Sequence, residues 1–501
     1  VSIPCFERST GFFVYKKKVG SQSNNNYISE KRICVDVKIR FLGAAKSVTG
    51  SKYLLQIDDK KILVDCGMFQ GQKELRLRNW DKLPIDPQQI DVVVITHAHI
   101  DHTGYLPRLV KDGYSGKIIC TAATEDLMQI MLLDAGKLQE EEALFAARKG
   151  YSKHENPKPL FTMDDARLVM QLVESHSFNS EFNLLPNVSA KFHIAGHILG
   201  AAIVELKITG KEQQKKIVFS GDLGRYDDPI MFDPTALNEA DVLLTESTYG
   251  DRLNPMTNVE GQLAAIINET YANEGIVVIP AFAVGRTQSL IYYLHRLIES
   301  KKIPSLPIYV DSPMAISVTN LYEKHGGQHK IKVAETRHEL ISIFDAPNIH
   351  FCNTNESSKA LNTMKKPAVI VSASGMATGG RVLHHLYHRL RNENDTVLFA
   401  GYQAEGSRGR DILEGEKNIK IFGEDVPVRC KVREVHGLSA HADQSELLRW
   451  LSNFKKAPKT TFIVHGEEAT AIAFSKIIQQ KLNWSTTIPE YLQSVELFSG
   501  I

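Results

Sequence analysis

Thr96-His97-Ala98-His99-Ile100-Asp101-His102 follows directly on the apolar run Val92 to Ile95 and sets three imidazoles and a carboxylate within six residues. A short run of β-branched residues reads as a buried strand, so these side chains stand at a strand end. Histidines two apart can point to one side there, while Asp101 and His102 on the following turn reach a second point a few ångströms away. Imidazole and carboxylate are ligands that zinc takes, at roughly 2.0 to 2.2 Å. Four such groups so close together can feed two adjacent ions. A lone histidine is more often a surface or hydrogen-bonded residue, but that reading does not account for four ligand types after one strand.

Four ligands cannot saturate two ions, so others must come from elsewhere. His197 lies in the Gly-flanked turn Gly196-His197-Ile198-Leu199-Gly200, and Asp222 in Ser220-Gly221-Asp222-Leu223-Gly224 after the apolar run Ile217 to Phe219. A carboxylate has two oxygens, which makes Asp222 the candidate shared ligand. Asp65, at the end of Ile62 to Val64, is suited instead to accept the N–H of a metal-bound imidazole and so fix its orientation. Taken singly, each of these is also an ordinary turn residue.

Outward from this centre, the chain has 501 residues with 43% hydrophobic content, enough for two cores. Its 59 Lys and Arg nearly cancel 58 Asp and Glu, so a polyanionic partner would need a local basic patch. Six scattered cysteines, Cys5, Cys34, Cys66, Cys120, Cys352 and Cys430, read as free thiols of a reducing compartment. With no apolar run of membrane-spanning length and no signal peptide, a soluble cytoplasmic protein without membrane contact is expected.

Residues 1–36 pass through a basic run and a polar stretch, and are expected to be a poorly ordered extension. From Val37 short alternating strands begin (Val37 to Gly43, Ser51 to Ile57, Lys61 to Asp65), with Asp58-Asp59 as a turn. Leu138 to Lys149 reads as an exposed helix. After Gly250 a second α/β region opens, with strands Ile276 to Pro280, Ile308 to Asp311 and Ala368 to Ser372 and a helix near Arg286 to Glu299. Small residues at such strand ends are where open α/β sheets place ligands.

Asp65, His97-x-His99-x-Asp101-His102, His197 and Asp222, in this order, resemble the metallo-β-lactamase superfamily, whose fold is a four-layer αββα sandwich with metals at its rim. Three later stretches resemble the β-CASP group of that superfamily. Thr245-Glu246-Ser247-Thr248-Tyr249-Gly250 looks like its acidic motif A, Leu438-Ser439-Ala440-His441-Ala442-Asp443 like motif B, and Ile463-Val464-His465-Gly466-Glu467 like motif C. The resemblance runs from Val37 to about Glu490 and is to stand-alone prokaryotic ribonucleases related to the mRNA 3′-end processing endonuclease. It implies a metallo-β-lactamase domain in two parts, 37–248 and 431–501, with an inserted α/β cap, the β-CASP domain, at 249–430. Histidine in motif C implies RNA rather than DNA as substrate.

By the same resemblance, one Zn2+ is held by His97, His99, His197 and Asp222, and a second by Asp101, His102, Asp222 and His465. His441, oriented by Glu246, is the candidate general acid, and Asp101 counts with them as catalytic. Ser374 and Gly375 after the strand Ala368 to Ser372 offer backbone N–H groups to a phosphate, and Arg381, like Arg286, Arg408 and Arg410, stands beside a similar turn. The expectation is a zinc-dependent ribonuclease cutting single-stranded RNA internally, with a homodimer left open. The alternatives are a 5′-3′ exoribonuclease of RNase J type, a hydrolase of small molecules, and a non-catalytic RNA-binding scaffold. A small-molecule hydrolase needs no large cap, and a scaffold needs no complete ligand set.

Overall fold

The computed structural model describes residues 35–149, 157–211, 213–254, 258–331, 334–335, 340–341, 343–403 and 406–501. The expected N-terminal extension lies outside the described residues except for its last two. Those two are tied in: the Val35 N–H donates to the Ile501 carbonyl at 3.2 Å, and the Asp36 N–H to Asp58 at 2.9 Å.

Two seven-stranded sheets form the centre of the molecule. The first runs in the order Ser494–Phe498, Val37–Phe41, Tyr53–Ile57, Lys60–Val64, Val92–Val94, Lys117–Thr121 and Val173–His176, antiparallel over its first four strands and parallel thereafter. The second runs Thr486–Thr487, Thr460–Val464, Val242–Glu246, Gln214–Phe219, Ala202–Thr209, Val188–Ile194 and Glu181–Leu185. Side chains alternate across a strand, and both sheets use the alternation. Ile62, Val64, Val92 and Val94 meet Val204, Phe219, Leu244 and Phe462 in a core between the sheets. The Phe41 and Phe462 rings close this seam at 5.0 Å. Burying one such ring contributes roughly 2 to 3 kcal/mol. The opposite faces, with Leu63, Val93 and Ile118 on one sheet and Val218, Leu243 and Ile463 on the other, join a core shared with helical Leu106, Leu109, Leu127, Leu447, Trp450 and Phe474. The layers are therefore αββα, as expected.

A third sheet has six strands, all parallel: Ile349–Phe351, Ile308–Val310, Ala368–Ser372, Ile276–Pro280, Thr396–Phe399 and Lys431–Glu434. Three of its four inner strands are buried along their whole length, which is why they read as unbroken apolar runs. After Ile308–Val310 the chain passes within two residues into a helix. Ser312 caps the helix Pro313–Lys324, its side chain accepting from the Ala315 N–H. Lys431–Glu434, expected in the returning lactamase part, pairs with Thr396–Phe399 instead.

The helix expected from Leu138 begins at Ala122 and runs to Lys149. The strand before it passes straight into the helix, and Gly136 dilutes the helical signal midway. That glycine serves close packing: a Cβ there would lie 2.8 Å from the Met163 backbone nitrogen. Among the described residues no helix is long and apolar enough to cross a membrane.

Candidate metal centre and cleft

The strand Val92–Val94 delivers its following residues to the rim of the sandwich. Thr96 is pinned through its N–H and hydroxyl to Asp65, at 2.8 and 2.9 Å, and its carbonyl accepts from the Ala202 N–H across to the second sheet. His97 follows, fully buried, and His99 precedes the single helical turn Ile100–Thr103, which turns His102 inward. Gly67 is required by close approach, since a Cβ would fall 1.6 Å from the Asp101 carbonyl oxygen. The loops carrying His197, Asp222 and His441 are sewn together by backbone bridges, Gly196 to Leu223 and Gly224 to His441. His465 leaves the strand Thr460–Val464 in the left-handed region, with its N–H on the Ala44 carbonyl at 2.9 Å.

These elements bring all seven expected ligand residues together in two groups. In the first, His99 Nδ1 lies 3.1 Å from His97 Nε2 and 3.2 Å from His197 Nε2. In the second, His102 Nε2 lies 3.0 Å from His465 Nε2, which is 3.4 Å from Asp101. Asp222 spans both: Oδ2 faces His97 and His197 at 3.4 and 3.6 Å, while Oδ1 faces His102 and His465 at 3.3 and 3.6 Å. Asp222 Oδ1 is buried without a hydrogen bond among the described residues. Ring nitrogens converging at about 3 Å around such an oxygen are a donor set that suits metal cations. Asp65 accepts from His102 Nδ1 at 2.8 Å, the orienting contact that its position in the sequence suggests.

Charge and burial divide the histidines. Burial, with help from neighbouring imidazoles, holds His97 and His197 well below the ordinary range and lowers His99, so their lone pairs are available near neutral pH. For His102 burial is outweighed by Asp222 and Asp65, and for His465 by Asp222 and Asp101, so both are raised. Burial also opposes the charge of Asp101, yet His465 and His102 keep it down at about 2.

His441 Nδ1 stands 3.3 Å from Glu246 Oε2. Glu246 is fully buried at the end of Val242–Glu246, and its other oxygen accepts from the Leu223 N–H at 2.6 Å. Burial works against a charged imidazole here, but the Glu246 charge, with Asp222 and Asp101 behind it, raises His441 to about 9. An imidazole held protonated beside the ligand cluster can donate a proton to a leaving oxygen. Glu246 also belongs to a third group with Asp222 and His465. Thr248 is a site residue that sequence reasoning misses. Its hydroxyl lies 3.1 Å from His465 Nδ1, and a threonine between a serine and a tyrosine carries no signal of that contact.

A cleft of about 620 Å3 opens over the centre, with His99, Asp101, His197 and His441 on its floor. Its walls include Phe282, Arg286 and Tyr402 but not Ser374, Gly375 or Arg381. The Arg381 guanidinium is held by Asp311 and the Cys352 carbonyl, both at 2.8 Å. The Ser374 hydroxyl accepts from the Thr378 and Gly379 N–H groups of its own loop, and a Cβ on Gly375 would meet Phe282 at 2.9 Å. Arg408 donates to the Lys420 and Thr378 carbonyls and Arg410 pairs with Glu414. Only Arg410 has its partner in reach of local sequence, at i+4; the partners of Arg381 and Arg408 lie 12 or more residues away.

Sequence models of known families match three stretches: the metallo-β-lactamase superfamily at residues 48–166, the Beta-Casp domain at 287–412, and the Zn-dependent metallo-hydrolase RNA specificity domain at 425–489. A Thermus thermophilus protein named as a ribonuclease is 36% identical over 87% of this chain and 94% of its own length. An RNase J-like protein of Methanocaldococcus jannaschii is 31% identical over 90% of this chain and 98% of its own. Transcription termination factor FttA from the same organism is 28% identical over 92% and 72% respectively. Among solved structures, a protein of unknown function from Enterococcus faecalis superposes with a TM-score of 0.51 at 12% identity, covering 92% of this chain and all of the other, a likeness of fold alone. The chain belongs to the β-CASP group of metal-dependent hydrolases within the metallo-β-lactamase superfamily.

Proposed function

We propose that this protein is a ribonuclease that hydrolyses phosphodiester bonds of single-stranded RNA, cutting internally, at a centre of two zinc ions. The observation that carries the reading is Asp222, whose two oxygens face two separate ligand groups at the floor of one cleft. Histidine at position 465, the RNA specificity domain match, and the name of the Thermus thermophilus relative support RNA as the substrate.

In this reading His97, His99, His197 and Asp222 hold one zinc, and Asp101, His102, Asp222 and His465 the other. Two such cations supply an acidified water as nucleophile and charge neutralisation for the phosphate. The protein's own residues do the rest. Asp65 fixes the ring plane of His102, Glu246 keeps His441 charged and oriented, and His441 gives its proton to the departing ribose oxygen. The expected phosphate contacts, the backbone of Ser374 and Gly375 and the side chain of Arg381, stay proposals, with the Arg381 guanidinium held in place by Asp311.

We assign residues 37–248 and the returning C-terminal part to the lactamase domain and the intervening part to the β-CASP domain. The third sheet, which ends at Glu434, supports placing the return four residues after the expected boundary at 430. A cytoplasmic location fits the four buried free cysteines among the described residues. Self-association would cover exposed Leu138 and Leu144 on the helix Ala122–Lys149, and sedimentation of the purified protein reads it out.

His441→Ala is the direct test. RNA cleavage is lost while zinc stays near two per chain; normal cleavage by that variant removes His441 from the mechanism. A second mode of action, 5′-3′ exonucleolytic decay, is favoured by the RNase J-like relative. Circular RNA separates the two, because only an endonuclease opens it.

A further inference from the structure

The strand Ile276–Pro280 ends in the loop Ala281 to Gly285, from which the 14-residue helix Arg286–Glu299 starts. Gly285, in the left-handed region, gives this helix no side-chain cap, and its first turn carries no acidic residue. The positive end of the helix dipole is thus left without a local negative charge. Arg286 stands at that end.

The Arg286 guanidinium lies on the wall of the cleft, yet Nη1 is shut off from solvent and has no hydrogen-bond partner among the described residues. No carboxylate lies within ion-pair distance of it there. Three other arginines with little exposure differ. Arg381 has Asp311, Arg389 has Asp395, and Arg225 has Glu446 and the Gly437 carbonyl. A buried cation without a counter-charge is costly and is retained where an anion completes it. Burial alone pulls Arg286 down to about 10, with only the Tyr249 hydroxyl acting the other way.

The surroundings are shaped to this side chain. A Cβ on Gly401 would stand 2.5 Å from Nη1, so residue 401 is small where the guanidinium crosses. Beside it, Tyr402 and Phe282 are 64% and 43% exposed on the same cleft, unusual for large aromatic groups and apt for stacking on unpaired bases. Tyr249 connects the position to the chemistry, its ring 5.8 Å from that of His441. Arg286, Tyr249 and His441 line the same cleft.

We propose that Arg286 is the phosphate anchor of the cleft, its unpaired guanidinium binding a phosphodiester of the RNA strand beside the one being cut, with Phe282 and Tyr402 stacking on flanking bases. This rests on the ribonuclease reading above. Arginine presents a planar fork that engages two phosphate oxygens at once, and such a contact is indifferent to base identity.

The test uses the zinc-loaded full chain and a fluorescein-labelled single-stranded oligoribonucleotide, with the DNA of the same sequence as a second probe. Arg286→Gln weakens binding of both by about 10- to 100-fold and lowers the slope of log affinity against log salt by about 0.7, the share of one phosphate contact on a single strand. KM rises more than kcat falls, and zinc content is retained. Arg286→Lys keeps most of the salt slope but loses the paired contact. A neutral methylphosphonate walked along the oligonucleotide weakens wild-type binding at one position and leaves Arg286→Gln indifferent there. If the wild type cuts RNA while Arg286→Gln binds with unchanged affinity and salt slope, the anchor is overturned alone. If the zinc-loaded wild type neither binds nor cuts RNA, the ribonuclease reading falls and takes the anchor with it. A loss of melting temperature and zinc in both variants, with no position-specific response to the methylphosphonate, makes Arg286 structural and overturns the proposal.

Discussion

Replacing Glu246 by Gln removes one negative charge and little else. The side-chain amide keeps an oxygen that can accept from the Leu223 N–H, the 2.6 Å contact that holds residue 246 in place. What disappears is the charge 3.3 Å from His441 Nδ1. With His441 at about 9, roughly 97% of it is protonated at pH 7.5, whereas an imidazole at its ordinary value near 6.5 is protonated to about one tenth. Asp222 and Asp101 also raise His441, and cations in the centre would absorb their share, which leaves Glu246 as the decisive carboxylate. Burial then keeps the variant's imidazole at or below its ordinary range. The expected loss of kcat at pH 7.5 is about tenfold from protonation alone, and at most the roughly 10² to 10⁴ that a positioned general acid contributes. The sign follows from the role: activity needs the protonated form, so it falls as pH rises through the pKa. The descending limb, which the Glu246 charge holds above the ordinary imidazole range in the wild type, moves to lower pH in Glu246→Gln, and the two enzymes approach each other toward pH 6. The assay is kcat on a short RNA across pH 5.5 to 10 at saturating zinc, with metal content measured in parallel. An unchanged profile refutes the Glu246–His441 assignment. Loss of zinc from the variant refutes it differently, by making Glu246 a ligand in the group it shares with Asp222 and His465.

Other outcomes follow from the same geometry. Asp222→Asn deprives both ligand groups of their common charge: zinc falls to below one per chain by elemental analysis, and a chelator that lowers the melting temperature of the wild type leaves the variant unmoved; a variant still holding two zincs contradicts the shared ligand. Lys52 is buried beneath Phe69 and Tyr105, its ammonium 4.5 and 4.9 Å from their centroids, and burial lowers it to about 8. Because its folded pKa lies below the unfolded value near 10.5, the cost of the buried charge is fully present below pH 8, and stability recovers as pH rises from 8 to 10.5. The gap corresponds to roughly 3 kcal/mol, of which two cation–π contacts return about 1 kcal/mol each. Lys52→Met should therefore be about 1 kcal/mol more stable to urea unfolding at pH 7 and lose that advantage near pH 10. A pH-independent difference between the two proteins counts against the assignment.

How far the molecule is readable from its residues depends on the range of the interactions. The His97 to His102 cluster is legible because four ligands fall within one strand end, and Asp65 and Asp222 because each closes a strand of its own. The sandwich follows from alternating runs such as Val92 to Val94, whose two faces enter two different cores. That the Arg381 guanidinium is held by Asp311, seventy residues earlier, is announced by nothing near it in sequence. The start of the long helix at Ala122 is hidden for a local reason: the strand Lys117–Thr121 runs into it without a break, and a glycine stands at 136. The last strand of the third sheet, Lys431–Glu434, is half-exposed at an edge and has three charged residues of four, so no apolar pattern ties it to its buried neighbours. Arg286 can be suspected from its turn, but only packing distinguishes a cation without a partner from those that have one.

The order in which the chain supplies the second ligand group has a consequence for synthesis. Asp101 and His102 emerge early, but His465 follows only after every strand of the third sheet, and the strand before it, Thr460–Val464, must then slot beside Val242–Glu246. Ser494–Phe498 afterwards closes the first sheet against Val37–Phe41. A nascent chain short of residue 465 holds the first ligand group entire and the second without one of its side chains, so the expected centre is completed only near the end of synthesis, after the whole third sheet has been made.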